Sequence, residues 1–404
     1  MNVLTNSEQL TKLLLDRLNP SDWPFAVEDL PIGSALVGGA VRDGLLNSIS
    51  KNPDLDFIVP VNAVILAKKL ANCYGGTCVI LDEERDVGRL VIKGWTIDFA
   101  RQIGNNLNDD LSRRDYTINS IALTLESSPK ILDPFNGLKD LKDNTLVALS
   151  EENLIDDPLR LIRGLRLMSQ LNLTIERKTK DFLSLHSKLL RTVAPERIKN
   201  EIQKLVKGTW ADDAIFILDE IDLLDPWRNK SKVFIREFNY LQDAKNFELH
   251  ELEIALPLAR LVHLLSDSGL VNLKFSKKEI QRCQTLRKWK RRNDGLGFQT
   301  LKESDLFALH IELEKYLPAL ILDLPKDHQE IWLRRWRDNQ DPLFHPSSPL
   351  DGLELQRILG IAEGPIIGEI IECLSLEKAF NRLHNPQEAV QLARYLWKQK
   401  QPLL

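Results

Sequence analysis

The run Leu36-Val37-Gly38-Gly39-Ala40-Val41-Arg42-Asp43, followed by Asp54-Leu55-Asp56, constrains this chain more than any other feature. An apolar strand ends in two glycines and passes into the stretch Val41 to Asn47, which reads as the start of a helix. Glycine lets the backbone take φ > 0 and approach a ligand without a Cβ in the way. The free N–H groups of a helix start favour an anion, and Arg42 adds a planar fork suited to phosphate oxygens. On a strand, residues i and i+2 point to one side, so Asp54 and Asp56 project together while Leu55 and Phe57 pack the other way. Two crowded carboxylates are a natural site for Mg²⁺, which takes hard oxygen ligands from one or two carboxylates and from substrate phosphates. Neither a Gly-Gly pair nor a D-x-D pair is specific alone; an ordinary turn and a solvated acidic strand end explain most examples. Both, with the arginine, fall here within nineteen residues.

The region around this run reads as α/β. A first helix carries Leu10, Leu13, Leu14 and Leu18 at helical spacing. Strands are expected at Ser34 to Val37, Leu55 to Val59, Thr77 to Leu81, Arg89 to Ile92, Thr96 to Phe99 and Ile121 to Leu125, with a helix from Val64 to Cys73. Asp133-Pro134-Phe135-Asn136-Gly137 reads as a turn. After Asp157 helical periodicity takes over to the end. Residues 226–250 read as a connecting region.

Two further motifs carry chemistry. Arg113-Arg114-Asp115-Tyr116-Thr117-Ile118-Asn119 gathers two arginines suited to a triphosphate with a carboxylate and an amide suited to ribose hydroxyls. A charged loop with an Asp N-cap explains it equally well. Asp156-Asp157-Pro158-Leu159-Arg160-Leu161-Ile162-Arg163 opens the first long helix, with Asp157, Arg160 and Arg163 on one face. An acceptor beside a donor there can meet the Watson–Crick edge of a base; an N-cap with Pro at N1 and an i, i+3 ion pair fits the same residues.

In order and spacing, Gly-Gly-x-Val-Arg-Asp, D-x-D, Arg-Arg-Asp-Tyr-Thr-Ile-Asn, Asp-Pro-Phe-Asn-Gly, Asp-Asp-Pro-Leu-Arg-Leu-Ile-Arg and Pro195-Glu196-Arg197-Ile198 closely resemble the bacterial (class II) tRNA nucleotidyltransferase and poly(A) polymerase family. The resemblance spans about residues 34 to 206. It implies an α+β fold: a polymerase-β-like nucleotidyltransferase head over residues 1–145, then an all-helical neck at 146–208, body at 209–270 and tail at 271–404. It implies template-independent addition of C, C and possibly A to a tRNA 3′ end from CTP and ATP, with Mg²⁺ as cofactor. Carried over, Asp54 and Asp56 are the catalytic and metal-binding residues. Gly38, Gly39 and Arg42 cradle phosphates. Arg114, Asp115 and Asn119 engage triphosphate and ribose. Asp157 and Arg160 pair with the incoming base, and Arg163 reaches the phosphates. Asp98 is equally a third acid of the site or a structural residue.

Three departures stand out. The base-reading pair begins with Asp156 where the family usually has Glu. Tyr116 and Ser120 replace the commoner Phe and Ala. Only fourteen residues separate Asp98 from Arg113, a short loop that resembles the CC-adding subgroup.

The formal net charge of −4 argues against a chain coated in basic residues, but local patches bind phosphate. Lys274 to Asn293 is such a patch, with nine basic residues and one acidic, and suits salt-dependent contact with the tRNA backbone. A solvated helix face is the alternative reading. Trp332, Trp336 and Trp397 read as packing. The four cysteines show no C-x-x-C and read as buried, reduced thiols; the seven histidines form no phosphohydrolase pattern. With no signal peptide and no membrane-length apolar run, the expected location is cytoplasmic. The rival readings are a poly(A) polymerase, which shares every motif, and a non-catalytic RNA-binding protein on a degenerate head. A dinucleotide-binding dehydrogenase lacks its G-x-G-x-x-G. Oligomeric state is left open.

Overall fold

The computed structural model describes residues 7–228, 244–293 and 301–400. Most of the expected connecting region at 226–250 lies outside them. The chain divides into two compact units, Met1–Ala194 with Glu220–Leu223 and Pro195–Asp219 with Leu224–Leu404. This division falls inside the span 146–208.

The first unit is α+β. Its elements are α1 (Ser7–Leu18), β1 (Ala35–Val37), α2 (Gly39–Leu45), β2 (Leu55–Val59), α3 (Ala63–Tyr74), β3 (Thr77–Asp82), β4 (Val87–Ile92), β5 (Trp95–Arg101), α4 (Leu107–Leu111), β6 (Ala122–Thr124), β7 (Ile131–Leu132), α5 (Gly137–Lys142), β8 (Thr145–Leu146), α6 (Glu151–Asp156), α7 (Leu159–Leu171), β9 (Thr174–Ile175) and α8 (Arg177–Leu185). Strands β1 to β7 form one sheet in the order β3-β4-β5-β2-β1-β6-β7. Only β2 and β5 run parallel within it.

Alternation along β2 sorts its side chains. Phe57 goes to one face, where it stacks on its register partner Phe99 at 5.4 Å, with Trp23 and Phe25 beside them. On the other face Val37 and Ile58 pack with Leu111 of α4. Burial of Leu111 therefore seats α4 on the sheet and delivers the chain directly into Arg113 and Arg114.

Pairing of β8 with β9 and helix α8 were not foreseen. A two-residue strand has no period to detect. In α8 only Thr179 and Leu183 are buried, too sparse a stripe to stand out from sequence.

The second unit is helical among the described residues: α9 (Pro195–Leu205), α10 (Ala211–Glu220), α11 (Leu249–Leu264), α12 (Asp267–Asn272), α13 (Lys277–Asn293), α14 (Glu303–Leu313), α15 (Leu317–Ile321), α16 (Lys326–Arg337), α17 (Gly352–Leu359), α18 (Pro365–Ala379) and α19 (Pro386–Lys400). The last three share a core of Leu355, Ile367, Ile370, Leu374, Ala389 and Ala393, against which Trp397 packs. Trp332 lies against His310 and Phe344, so both tryptophans do serve packing. No described helix is long and apolar enough to cross a membrane. The cysteines are free, but the expectation of burial holds only for Cys283; Cys73 is exposed and Cys78 and Cys373 are half-buried.

Candidate active site

The glycine turn, the D-x-D pair and the second arginine motif meet where β1 ends and β2 begins. Val37 and Asp56 are register partners, so the turn after β1 lies beside the Asp56 side chain. Gly38 has φ 75 and ψ −136, a conformation nearly closed to residues with a Cβ. A Cβ on Gly38 would stand 3.2 Å from Asp56 Oδ2 and 3.4 Å from Arg114 Nη1. The bare Cα thus leaves the space between a carboxylate and a guanidinium open. Gly39 differs: a Cβ there meets only Arg42 Nη2, at 3.7 Å.

Asp56 is half-buried, whereas Asp54 is exposed and immediately precedes β2. Asp98 is the register partner of Asp56 on β5. Burial pushes the Asp56 carboxyl up to about 6; Arg114 opposes this, Asp98 and Asp54 add to it, and Arg89 opposes it. Asp98 itself is gripped by Arg89 of β4, Nε to Oδ1 at 2.7 Å and Nη2 to Oδ2 at 2.8 Å. That fork occupies both Asp98 oxygens. Among the described residues no group of three or more His, Cys, Asp or Glu is placed to hold a metal ion. Two hard oxygen donors, one destabilised as an anion by burial and like charge, beside a gap that a methyl group would fill, suit a divalent cation carrying phosphate ligands.

Arg114 faces this gap. Its Nη2 is 3.9 Å from Asp110, and its Nε is buried without a hydrogen-bond partner among the described residues. A guanidinium with an N–H left unpaired keeps donor capacity that an anionic ligand would satisfy. Arg42, by contrast, is turned inward. Its Nη1 donates to Asn119 Oδ1 at 2.6 Å and its Nε to Asp43 at 2.9 Å. Asn119 Nδ2 donates in turn to Asp115 Oδ1 at 3.0 Å, which also accepts from the Tyr116 amide at 2.8 Å. Arg163 Nη1 lies 3.5 Å from Asp115 Oδ2. Burial would raise the pKa of Asp115, but Arg163, the Asn119 amide and the Tyr116 N–H outweigh it and hold the carboxyl low. Asp115 and Asn119 therefore link Arg42 to Arg163 through buried hydrogen bonds and an ion pair, rather than standing open to solvent.

At the start of α7, Asp157 Oδ1 accepts from the Leu159 amide at 3.3 Å and the Asp157 carbonyl accepts from the Arg160 amide at 2.9 Å. Arg160 Nη1 donates to the Asn153 carbonyl at 2.9 Å and lies 3.4 Å from that of Arg114. Tyr116, where Phe is commoner, donates its hydroxyl to the Arg160 carbonyl at 2.8 Å. Arg89 and Asn153 are the neighbours that sequence reasoning missed. Both act through contacts set by strand register or chain return, for which no local pattern exists.

The loop between Asp98 and Arg113 is held closed. Asp110 Oδ1 accepts from the Ile103 amide at 3.1 Å, Asp109 Oδ2 accepts from the Asn105 amide at 2.8 Å, and Gly104 turns the chain at φ 86.

In α13 the basic stretch is partly neutralised. Arg287 is buried and pairs with Asp267, while Lys288 meets Glu312 at 2.7 Å, Lys290 meets Asp323 at 2.8 Å and Arg292 meets Asp305 at 2.7 Å. Lys277 and Lys278, at its N-terminal end, are exposed.

Residues 34–147 match the family described as the poly A polymerase head domain, and residues 172–227 match the probable RNA and SrmB-binding site of polymerase A. A CC-adding tRNA nucleotidyltransferase of Synechocystis sp. is 29% identical across 93% of this chain and 96% of its own. An A-adding tRNA nucleotidyltransferase of Deinococcus radiodurans is 29% identical across 89% of this chain and 94% of its own. Along its length the chain is similar to bacterial tRNA nucleotidyltransferases, and over residues 34–147 to the poly A polymerase head domain. In fold, this nucleotidyltransferase is similar to the Thermotoga maritima CCA-adding enzyme solved in complex with tRNA, with a TM-score of 0.72 at 20% identity over 97% of this chain and 98% of that one. The α+β head with helices following it is the architecture the sequence led us to expect.

Proposed function

We propose that this enzyme adds cytidines to the 3′ end of tRNA from CTP, without a nucleic-acid template, and stops after the second. The observation that carries the transferase reading is the convergence of Gly38, Asp56 and Arg114 on one gap. Asp54 and Asp56 would hold Mg²⁺, which when bound supplies Lewis-acid polarisation of the reacting phosphate and neutralises charge on the departing pyrophosphate. Gly38 leaves room for the phosphates, and Arg114 donates to them. Asp157 and Arg160 meet the edge of the base, an acceptor beside a donor. The tRNA 3′-hydroxyl then attacks the α-phosphate in line and pyrophosphate leaves. Positioning and fixed charge provide most of the rate.

The division of labour is part of the proposal: head 1–145 for chemistry, neck 146–208 for base recognition, body 209–270, and tail 271–404 for tRNA. The short loop pinned by Asp109 and Asp110 supports the CC-adding subtype, since a closed loop has little freedom to remodel the site for a second base. Purified enzyme is incubated with CTP and ATP and with tRNA ending before, within or after CCA, and the products are sequenced. Products ending in CC support the proposal. Complete CCA from a tRNA lacking its 3′ end overturns the subtype, addition of A only to tRNA ending in CC points to an A-adding enzyme, and long A tracts point to poly(A) synthesis.

A further inference from the structure

Asn153 is the third residue of α6, whose start is capped by Ser150; the Asn153 amide donates to Ser150 Oγ at 3.1 Å. A polar side chain at this position commonly turns back toward the cap. Asn153 turns away from it. Its Nδ2 donates to the Ser112 carbonyl at 2.7 Å and to the Arg114 carbonyl at 2.8 Å. Both neighbours are acceptors only, so the amide nitrogen must be the atom that faces them. Its backbone carbonyl accepts from Arg160 Nη1, whose second neighbour is again the Arg114 carbonyl. One largely buried residue, 8% exposed, thus ties the turn that carries Arg114 to the side chain of Arg160.

We infer that Asn153 is a positioning residue that holds Arg114 and Arg160 in fixed relation, so that the triphosphate and the base of one nucleotide are gripped as a unit. The inference rests on the proposed roles of those two arginines. Without the Asn153 amide, two carbonyls ahead of and at Arg114 lose a buried donor, and the turn loosens. Arg160 keeps one acceptor, but its second moves with that turn. A guanidinium held in one orientation offers one pattern of donors; one that swings discriminates less between bases. The loss falls on the nucleotide and not on the tRNA.

The test compares wild type with Asn153→Ala and with Asn153→Asp, which keeps the side-chain shape but removes both donors. KM for CTP, KM for tRNA, kcat, the preference for CTP over UTP and the unfolding midpoint are measured on each. A rise in KM for CTP on the order of tenfold, as for the loss of two ordinary hydrogen bonds, is expected. The preference for CTP should fall, and KM for tRNA should stay at the wild-type value. Wild-type KM for CTP and preference in both variants overturn the inference. So does a uniform loss that follows the unfolding midpoint, because that is what a purely structural residue gives. Asn153→Ser keeps one donor and decides the matter if the other two do not fold: an intermediate rise in KM for CTP supports the role, and a wild-type value overturns it. Wild-type enzyme that incorporates no CMP into tRNA sinks the proposed function and this inference with it; active wild type with indifferent variants sinks the inference alone.

Discussion

Replacing Gly38 by alanine probes the heart of the site. At φ 75 and ψ −136 a residue with a Cβ is strained by about 1–3 kcal/mol. Alanine recovers about 0.4–1 kcal/mol by restricting the unfolded chain, so the net loss is about 1–2 kcal/mol. For a unit of this size that lowers the unfolding midpoint by about 2–8 °C. The new methyl would also stand 3.2 Å from Asp56 Oδ2, which must shift by a few tenths of an ångström, and 3.4 Å from Arg114 Nη1, at the limit of ordinary contact. A full ångström of misplacement costs about a hundredfold in rate, so a drop in kcat/KM of roughly tenfold is expected. The assay is CMP incorporation from labelled CTP into tRNA lacking its CCA end, beside a thermal melt. Gly39→Ala is the stability control. Gly39 lies in a helix, and its Cβ would make only an ordinary contact, so its melt should be unchanged or raised. Wild-type melting and turnover in Gly38→Ala, or equal destabilisation by the two substitutions, would refute the reasoning.

Asp54→Ala and Asp56→Ala should each abolish incorporation while tRNA binding, read by gel shift, is largely kept; turnover in either removes the metal assignment. Glu251 of α11 is fully buried and accepts from Arg337 through both oxygens at 2.7 Å. Burial would raise its pKa, but Arg337 and the Glu248 amide outweigh this and hold it low. A depressed folded value means the stabilisation is complete above the ordinary carboxylate pKa near ~4.3 and is lost as pH falls through the folded one. Glu251→Gln should therefore cost about 1–3 kcal/mol at pH 7 in urea unfolding, and the gap to wild type should close in acid; a gap constant with pH counts against the pair. Lys277→Ala with Lys278→Ala should weaken tRNA binding and flatten its salt dependence by about one to two charges. Lys288→Ala with Arg292→Ala should do less, because those cations already meet Glu312 and Asp305; equal effects would place the RNA contact along the whole of α13.

The parts of the molecule that were legible in the sequence are those with a period or a fixed spacing. Strand β2 is found at Leu55–Val59, as its apolar run indicated, and helix α7 follows the spacing of Leu159, Ile162, Leu165 and Met168. The D-x-D alternation correctly separated Asp56 from Phe57. What stayed hidden depends on partners far along the chain. Arg89 meets Asp98 only because β4 and β5 pair in one register, and Asn153 meets Arg114 across 39 residues. Arg42 was legible as a donor, but its present acceptor, Asn119, is 77 residues away. The cation count in α13 was visible; the acids that neutralise half of it come from three other segments.

Gly164 deserves its place in α7 for a reason unconnected with the helix itself. A Cβ there would lie 2.1 Å from the Tyr116 hydroxyl and 2.6 Å from the ring carbon that carries it. Removing the hydroxyl alone would not make room, because the ring would still collide. Any aromatic residue at 116 therefore dictates an absent side chain at 164, and the two positions can drift only as a couple. An engineer who wishes to strengthen α7 by the usual exchange of glycine for alanine must first shrink the ring, and with it gives up the bond that steadies the backbone of Arg160.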